Sequence, residues 1–271
     1  MATTRPPRAR LPVRWVTILT SMLGTAGAMA VVGWALPGLD IAGPRPGTRI
    51  AQLIPQLEVG VVFFVGVPLW SRALKAERSP ALRAALAATA RGQFQAVARS
   101  AAGRLLTAAE LLLGGTLAWM LTLLLAGGPS PGHVLGTRLL IFTFAVFALG
   151  LGTGVSAWCP GALSAAGAAA GALVVMVAAP FAIAPLISAF GTHWVIVQAA
   201  VLVSPWVVAA GVSGLDLVHM EWMYALSPLG HVEVRHPDLQ SAALAYGTAG
   251  SLLLIAAVRC LRPRRTPLGG F

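Results

Sequence analysis

The stretch from Leu139 to Leu215, LLIFTFAVFALGLGTGVSAWCPGALSAAGAAAGALVVMVAAPFAIAPLISAFGTHWVIVQAAVLVSPWVVAAGVSGL, contains no Lys, Arg, Asp or Glu. No water-facing fold hides so long an uncharged run, so a soluble enzyme is excluded. The rest of the chain agrees: 57% of its 271 residues are hydrophobic and only 10% are charged. A soluble domain carries about a quarter charged residues. The solvent of this chain is mostly lipid, and its expected fold is all-α and polytopic.

A helix needs about 20 apolar residues to cross roughly 30 Å of hydrocarbon. Six segments meet or approach this: 15–36, 53–70, 105–126, 138–158, 163–187 and 239–258. The first is longer than the core of a secretory signal, about 7–15 residues, and further spans follow it, so it reads as a retained helix. A seventh segment, 193–212, is apolar but carries His193, Gln198 and Ser204–Pro205. Charge parity decides its role. With six crossings the N-terminal arm (Arg5, Arg8, Arg10, Arg14), the loop 71–104 and the tail (Arg259, Arg262, Arg264, Arg265) share one side. Fifteen of the nineteen basic residues then lie inside, leaving Arg45, Arg49, Arg138 and Arg235 outside. Counting 193–212 as a span, or discarding 53–70, sends a basic cluster outward. The positive-inside bias selects six spans with both termini cytoplasmic, in the cell membrane. Segment 193–238 becomes an outer re-entrant or interfacial stretch, whose backbone must be covered by protein. The whole chain, 1–271, reads as a single transmembrane domain.

This sorting also explains the net charge of +11 as topology rather than as a nucleic-acid surface. All five histidines fall on the outer side, and Trp222 and Tyr224 fit an aromatic belt there. Gly150-x3-Gly154 and Gly167-x3-Gly171 allow close helix approach. Packing within the bundle is the simpler use of both, and a dimer seam is the alternative. Pro180 and Pro185 are expected to kink the fifth span. Cys159 and Cys260 are too few for a disulfide framework or a thiolate metal site and read as small apolar filler.

Catalytic patterns are missing. The chain has no phosphate loop, no His-Glu-x-x-His pair and no Gly-x-Ser-x-Gly elbow. No cofactor site is expected. The outer residues His219, Glu221, His231, Glu233, His236 and Asp238 read as polar groups at a membrane surface, with metal binding or pH sensing as the sharper alternative. Two carboxylates lie at membrane depth, where acids are costly and often mark a pathway or a partner. Glu58 falls in the outer part of the second span, within reach of Arg138 at the start of the fourth. Glu110 falls in the inner part of the third, about 9 Å along the helix from Arg104.

The most informative loop is 71–104. Pro80–Ala90 and Phe94–Arg104 have strong helix formers with apolar residues at helical spacing, and Arg91-Gly92-Gln93 is the expected break between them. Such a hairpin, apolar on one face and arginine-rich on the other, suits either an anionic lipid surface or a docking lever for a cytoplasmic protein.

Arranged in this way, the chain resembles the permease subunit of an ABC transporter of the ABC-2 exporter type, along essentially its whole length. Glu77, followed by Arg83–Ala84–Ala85–Leu86 and Thr89, stands where that family has a Glu…Leu-Leu…Thr-Pro stretch, although Ala90 replaces the proline. Arg99 and Arg104 precede the third span, where the family is basic. The segment Leu226–Val232 (LSPLGHV) resembles the turn before the last span in antibiotic-exporting members from high-GC bacteria. The resemblance implies a separate cytoplasmic ATP-binding subunit docked under Glu77, Arg83, Thr89, Arg91, Gln93, Arg99 and Arg104. It also implies a second permease subunit and a hydrophobic small-molecule or peptide cargo moved outward. A self-contained secondary transporter and a non-transporting membrane scaffold are the rival readings.

Overall fold

In a computed structural model of the chain, the residues described are 18, 21–25, 27, 46–71, 90–159, 161–190, 194–215 and 236–260. Every element among them is helical. Helix α1 (Pro46–Gly60) continues through a π-helical segment, Val61–Gly66, into α2 (Val67–Ser71). The others are α3 (Ala90–Ala126), α4 (Pro131–Trp158), α5 (Ala162–Phe190), α6 (Trp194–Val203), α7 (Pro205–Ser213) and α8 (Leu239–Cys260).

Four described segments are long and apolar enough to cross a membrane: Ala51–Ser71, Pro131–Trp158, Ala162–Ala182 and Leu239–Cys260. The pair α6–α7, bent by 93°, brings the number to at most five. The protein is therefore membrane-embedded and helical, and these segments coincide with four of the expected spans. Most of the expected first span, 15–36, lies outside the described residues, although 21–25 are helical.

Helix α3 revises the expected hairpin. It has 37 residues, roughly 55 Å at the standard rise, against about 30 Å of hydrocarbon. Arg91, Gly92 and Gln93 lie inside its first turns instead of forming a break, and Phe94–Arg104 is continuous with the helix through 105–126, the expected third span, which is not among the four segments above. A single glycine costs a helix about 1 kcal/mol. Alanine, leucine and glutamine on either side offset that. Glu77, Arg83 and Thr89, together with the first of the two expected short helices, lie outside the described residues.

Helix α4 is the central post. Ser130 caps it, its hydroxyl accepting from the His133 N–H at 3.3 Å, with Pro131 at the first helical position. It carries Leu140, Ile141, Phe144, Ala148 and Leu149 into the core. Its broadest partner is α8, and three contacts fix their relative direction. Gly136 faces Leu239 and Gly150 faces Gly250, while the Trp158 indole N–H donates to the Cys260 sulfur at 3.0 Å. The two helices therefore run parallel. At the middle contact a Cβ on Gly150 would lie 2.4 Å from the Gly250 carbonyl oxygen, and one on Gly250 would lie 2.6 Å from Phe147 Cα. Only glycine at both positions permits this approach. Asp238 starts α8 by accepting from the Ser241 N–H at 2.8 Å and from its hydroxyl, and these bonds hold its carboxyl below the ordinary carboxylate value. Helix α5 returns antiparallel to α4 after the turn at Cys159–Gly161 and runs unbroken through Pro180 and Pro185.

The two small-residue motifs have different uses. In the first, Gly150 meets α8, whereas a Cβ on Gly154 would face Trp158 of its own helix at 3.2 Å; Gly152, between them, meets α2, a Cβ there falling 2.8 Å from Trp70 Cβ. Gly167 and Gly171 are exposed, with nothing within 4 Å of an added Cβ.

The bend between α6 and α7 has a local cause. Pro205 cannot donate to the preceding turn and pushes Ser204 into an extended conformation, φ −95° and ψ 104°. Helix α7 then runs antiparallel to α1. Trp206 packs on Phe63 at 5.7 Å between ring centroids. The Gln56 amide, oriented to suit its neighbours, donates to the Trp206 carbonyl at 3.1 Å and accepts from the Ala210 N–H at 3.0 Å. Gln52 Nε2 donates to the Gly214 carbonyl at 3.0 Å. Gly214, at φ +76°, closes α7 in the left-handed conformation, and Leu215 N–H reaches back to the Ala210 carbonyl at 2.8 Å. On the other side of the bend the Tyr246 hydroxyl donates to the Leu202 carbonyl at 2.6 Å, an acceptor that the break leaves without a helical donor.

The α4–α8 seam yields a contrast. Gly150→Leu should cost about 1–3 kcal/mol or more by overpacking and lower the thermal midpoint of the detergent-solubilised protein. Gly167→Leu should leave it unchanged. Equal effects at both positions would show that the seam does not depend on close approach.

Candidate functional site

A salt bridge joins the two charges that the sequence pairs. Arg138, two turns into α4, extends its Nη1 to Glu58 Oε1 on α1. The Arg138 side chain is 7% exposed and that of Glu58 20%. Helix α3 completes the setting. The guanidinium carbon lies 4.8 Å from the centroid of the Trp119 ring, a cation–π contact strengthened by the burial of both side chains. Gly115, one turn earlier on α3, leaves room for the pair. A Cβ there would sit 3.4 Å from Glu58 Oε1, 3.4 Å from Thr25 Oγ1 and 3.5 Å from Arg138 Nη1. Four chain segments thus converge on one ion pair.

The pair is only partly satisfied. Glu58 Oε2, Arg138 Nε and Nη2, and Trp119 Nε1 are buried with no hydrogen-bond partner. A buried polar group in this state costs about 1–3 kcal/mol, and more when charged. It is tolerated where the surrounding structure fixes it, and such groups mark function more often than ordinary packing does.

A groove of about 880 Å³ adjoins the pair. Its walls come from residues 21–25, from α1 and the π segment, and from α2, α3 and α4; Glu58, Val61, Val65, Trp70, Arg104 and Leu111 are among the residues that line it. The π-helical turn begins three residues after Glu58 and supplies part of one wall, and such turns are rare and concentrate at functional sites. Residues 21–25 are fixed against α3 by Ser21, whose hydroxyl donates to the Leu111 carbonyl at 2.5 Å. Glu110, half-buried, lies five residues before Gly115 on α3, outside the pair.

The remaining expected residues are distributed elsewhere. Arg104 is half-buried at the groove, whereas Arg91, Gln93 and Arg99 lie on the first part of α3. In the outer polar group, His219, Glu221, His231 and Glu233 lie outside the described residues, as do Trp222, Tyr224 and Leu226–Val232. Among the described residues no cluster of three His, Cys, Asp or Glu side chains is placed to hold a metal. The cysteines are free, and Cys260 has the added role of accepting from Trp158. Trp119, the π turn and the Gln52–Gln56 contacts to α7 have no precedent in the sequence reading. The sequence signal for the last of these is two glutamines four apart on α1.

No protein-family model matches the chain, and no curated protein or solved structure matches it significantly.

The energetics of the pair are open to a double-mutant cycle. Arg138→Met alone strands a carboxylate, and Glu58→Gln alone strands a guanidinium; each should destabilise by about 3–5 kcal/mol. The double variant should recover most of the loss, as read from thermal unfolding in detergent. Additive single effects would show that the two side chains do not act as a unit.

Proposed function

We propose that this chain is the membrane permease of an exporter, with six crossings, both termini on the cytoplasmic side, and ATP hydrolysed by a separate subunit. The observation that carries the reading is the placement of basic segments. Helix α1–α2 runs alongside α4, since Glu58 meets Arg138 and Val67 and Trp70 meet Gly152. Ser71, the turn at Cys159–Gly161 and Cys260 therefore share one end of the bundle. The loop 72–89, the basic start of α3 and the four-arginine tail all leave or enter at that end. Such sorting is what the positive-inside bias requires.

Parity supports the same count. Because α4 and α8 are parallel, the chain crosses an odd number of times between Trp158 and Leu239. Helix α5 supplies one crossing. The α6–α7 pair then enters and leaves on one side: α7 ascends along α1 to Gln52, and Gly211 lies against His236, just before α8. In this reading the bent pair serves as the re-entrant element expected before the last span. In the exporter reading the length of α3 has a use: its basic extension, Arg91, Arg99 and Arg104, carries motion of a docked ATP-binding subunit directly into the groove wall. Two copies of the permease, or two related chains, would enclose the path, and the cargo class is a hydrophobic small molecule or peptide.

A second reading is favoured by a different observation. A buried acid–base pair beside a broken helix is also the hardware of a self-contained, ion-coupled transporter.

Affinity purification from the native host separates the two. The exporter reading predicts recovery of a soluble ATP-binding protein, no ATPase activity in the chain alone, and weaker co-purification after replacement of Arg83, Arg91 and Arg99 by alanine, with membrane insertion preserved. Gradient-driven transport by the chain alone in vesicles, with no such protein recovered, would establish the second reading instead.

A further inference from the structure

The groove beside the ion pair has a neutral end and a cationic end. At the first, Glu58 is neutralised by Arg138, and its second oxygen is fully buried. At the other stand Leu69 and Trp70 of α2 together with Arg104 of α3. The lining between is apolar apart from Ser21, Thr25 and Thr107, and the Ser21 and Thr107 hydroxyls already donate to the Leu111 and Gly103 carbonyls. One side is open: Leu57, Val61, Val65 and Leu69 on the rim are each at least half exposed, within the apolar segment Ala51–Ser71.

The cationic end lies at the membrane surface. Ser71, next to Trp70, ends the apolar segment, and tryptophan is enriched at headgroup level. Arg104 immediately precedes the expected third span. Between Ser71 and Ala90 the chain carries Arg72, Lys75, Arg78 and Arg83 against Glu77 alone, so this end of the bundle is strongly positive. From Arg104 to Leu112 the groove follows α3 for about 12 Å, against about 15 Å of hydrocarbon in one leaflet.

These dimensions and charges fit an occupant that already bathes the open side. A lipid chain fills the apolar length, and the head that it brings to the mouth lies beside a guanidinium. An arginine fork has five N–H donors, enough to serve a protein neighbour and a phosphate together. A cationic head is repelled there, and a zwitterionic one gains little from the positive field. A basic residue beside an anionic headgroup is worth about fivefold in affinity.

We propose that the groove between the π segment and α3 seats one acyl chain of an anionic phospholipid, with the lipid phosphate on Arg104. The binding stands apart from the exporter reading; only its assignment to the cytoplasmic leaflet rests on the topology proposed above.

The test uses the full chain in phosphatidylcholine nanodiscs doped with a photoactivatable phosphatidylglycerol or, at the same fraction, a photoactivatable phosphatidylcholine. Each carries its diazirine on an acyl chain, and peptide mapping is the readout. Phosphatidylglycerol should label Val65, Leu69 and Leu111 about fivefold more than phosphatidylcholine. Arg104→Gln should remove that difference, whereas Arg259→Gln, exposed on α8 at the same end, should keep it. Ala108→Phe, which fills the groove between Arg104 and Leu112, should abolish labelling there while elution stays monodisperse and label on the exposed Leu244 and Leu252 of α8 persists. Equal labelling by the two lipids, equal loss of preference in the two arginine variants, or unchanged groove labelling of Ala108→Phe would overturn the proposal. Crosslinks between two chains through Val65 and Leu111 in place of lipid label would also overturn it, and assign the groove to a second copy. Recovery or absence of an ATP-binding partner bears on the exporter reading and leaves these outcomes unchanged.

Discussion

In hydrocarbon every backbone N–H and C=O must find its partner inside the protein, and the bend at Ser204–Pro205 is where this chain meets that constraint most sharply. Breaking a helix strands donors and acceptors on both sides of the break. The remedy is specific. Tyr246 from α8 takes the Leu202 carbonyl, Gln56 from α1 bridges a rung of α7, and Gln52 takes the Gly214 carbonyl at the far end. Each helper comes from a different helix or a different turn, so the bent pair is stable only if α1, α4 and α8 already stand in their observed places.

That requirement gives the glycine seam its importance. Tyr246 reaches Leu202 because α8 lies close against α4, where its ring also packs edge-on to Phe144 at 4.5 Å and Phe147 at 5.2 Å. The close approach at Gly150 and Gly250 sets that depth. On the opposite side of α4 the Glu58–Arg138 pair fixes α1, and Gly115 and Trp119 on α3 are shaped around it. The core is thus organised around one helix with a close-packed glycine face and a charged face. The groove opens on the charged side, where the π turn and the partly unsatisfied carboxylate store unpaired polar capacity in place of tight packing.

Much of this was legible in the sequence because the physics involved is local or additive. Hydropathy over about 20 residues marks a span, and the segments at 138–158, 163–187 and 239–258 match α4, α5 and α8 to within a few residues at most ends. Glu58 and Arg138 were pairable because unpaired charges at that depth are costly. Ser204–Pro205 announced a break. What escaped was long-range or cooperative. A lone glycine at 92 reads as a stop, yet the helix formers around it carry α3 through. Nothing in the spelling of Gly150-x3-Gly154 and Gly167-x3-Gly171 distinguishes them, since only the tertiary arrangement decides which face meets α8 and which meets lipid. Trp119 could not be assigned to Arg138 without knowing that α3 crosses α4 there.

In the proposed topology α6–α7 enters and leaves the membrane on one side, which fits the parallel course of α4 and α8. Single-cysteine accessibility tests it most directly, in a background with Cys159 and Cys260 replaced by serine. Cysteines placed at Ser130, Gly214 and Asp238 should all react with an impermeant maleimide from the outer face of intact cells, while one at Gly161 should react only after permeabilisation. Reaction of Gly214 and Asp238 positions from opposite faces would contradict the account, because the bent pair would then be a crossing and the parity of the chain would change.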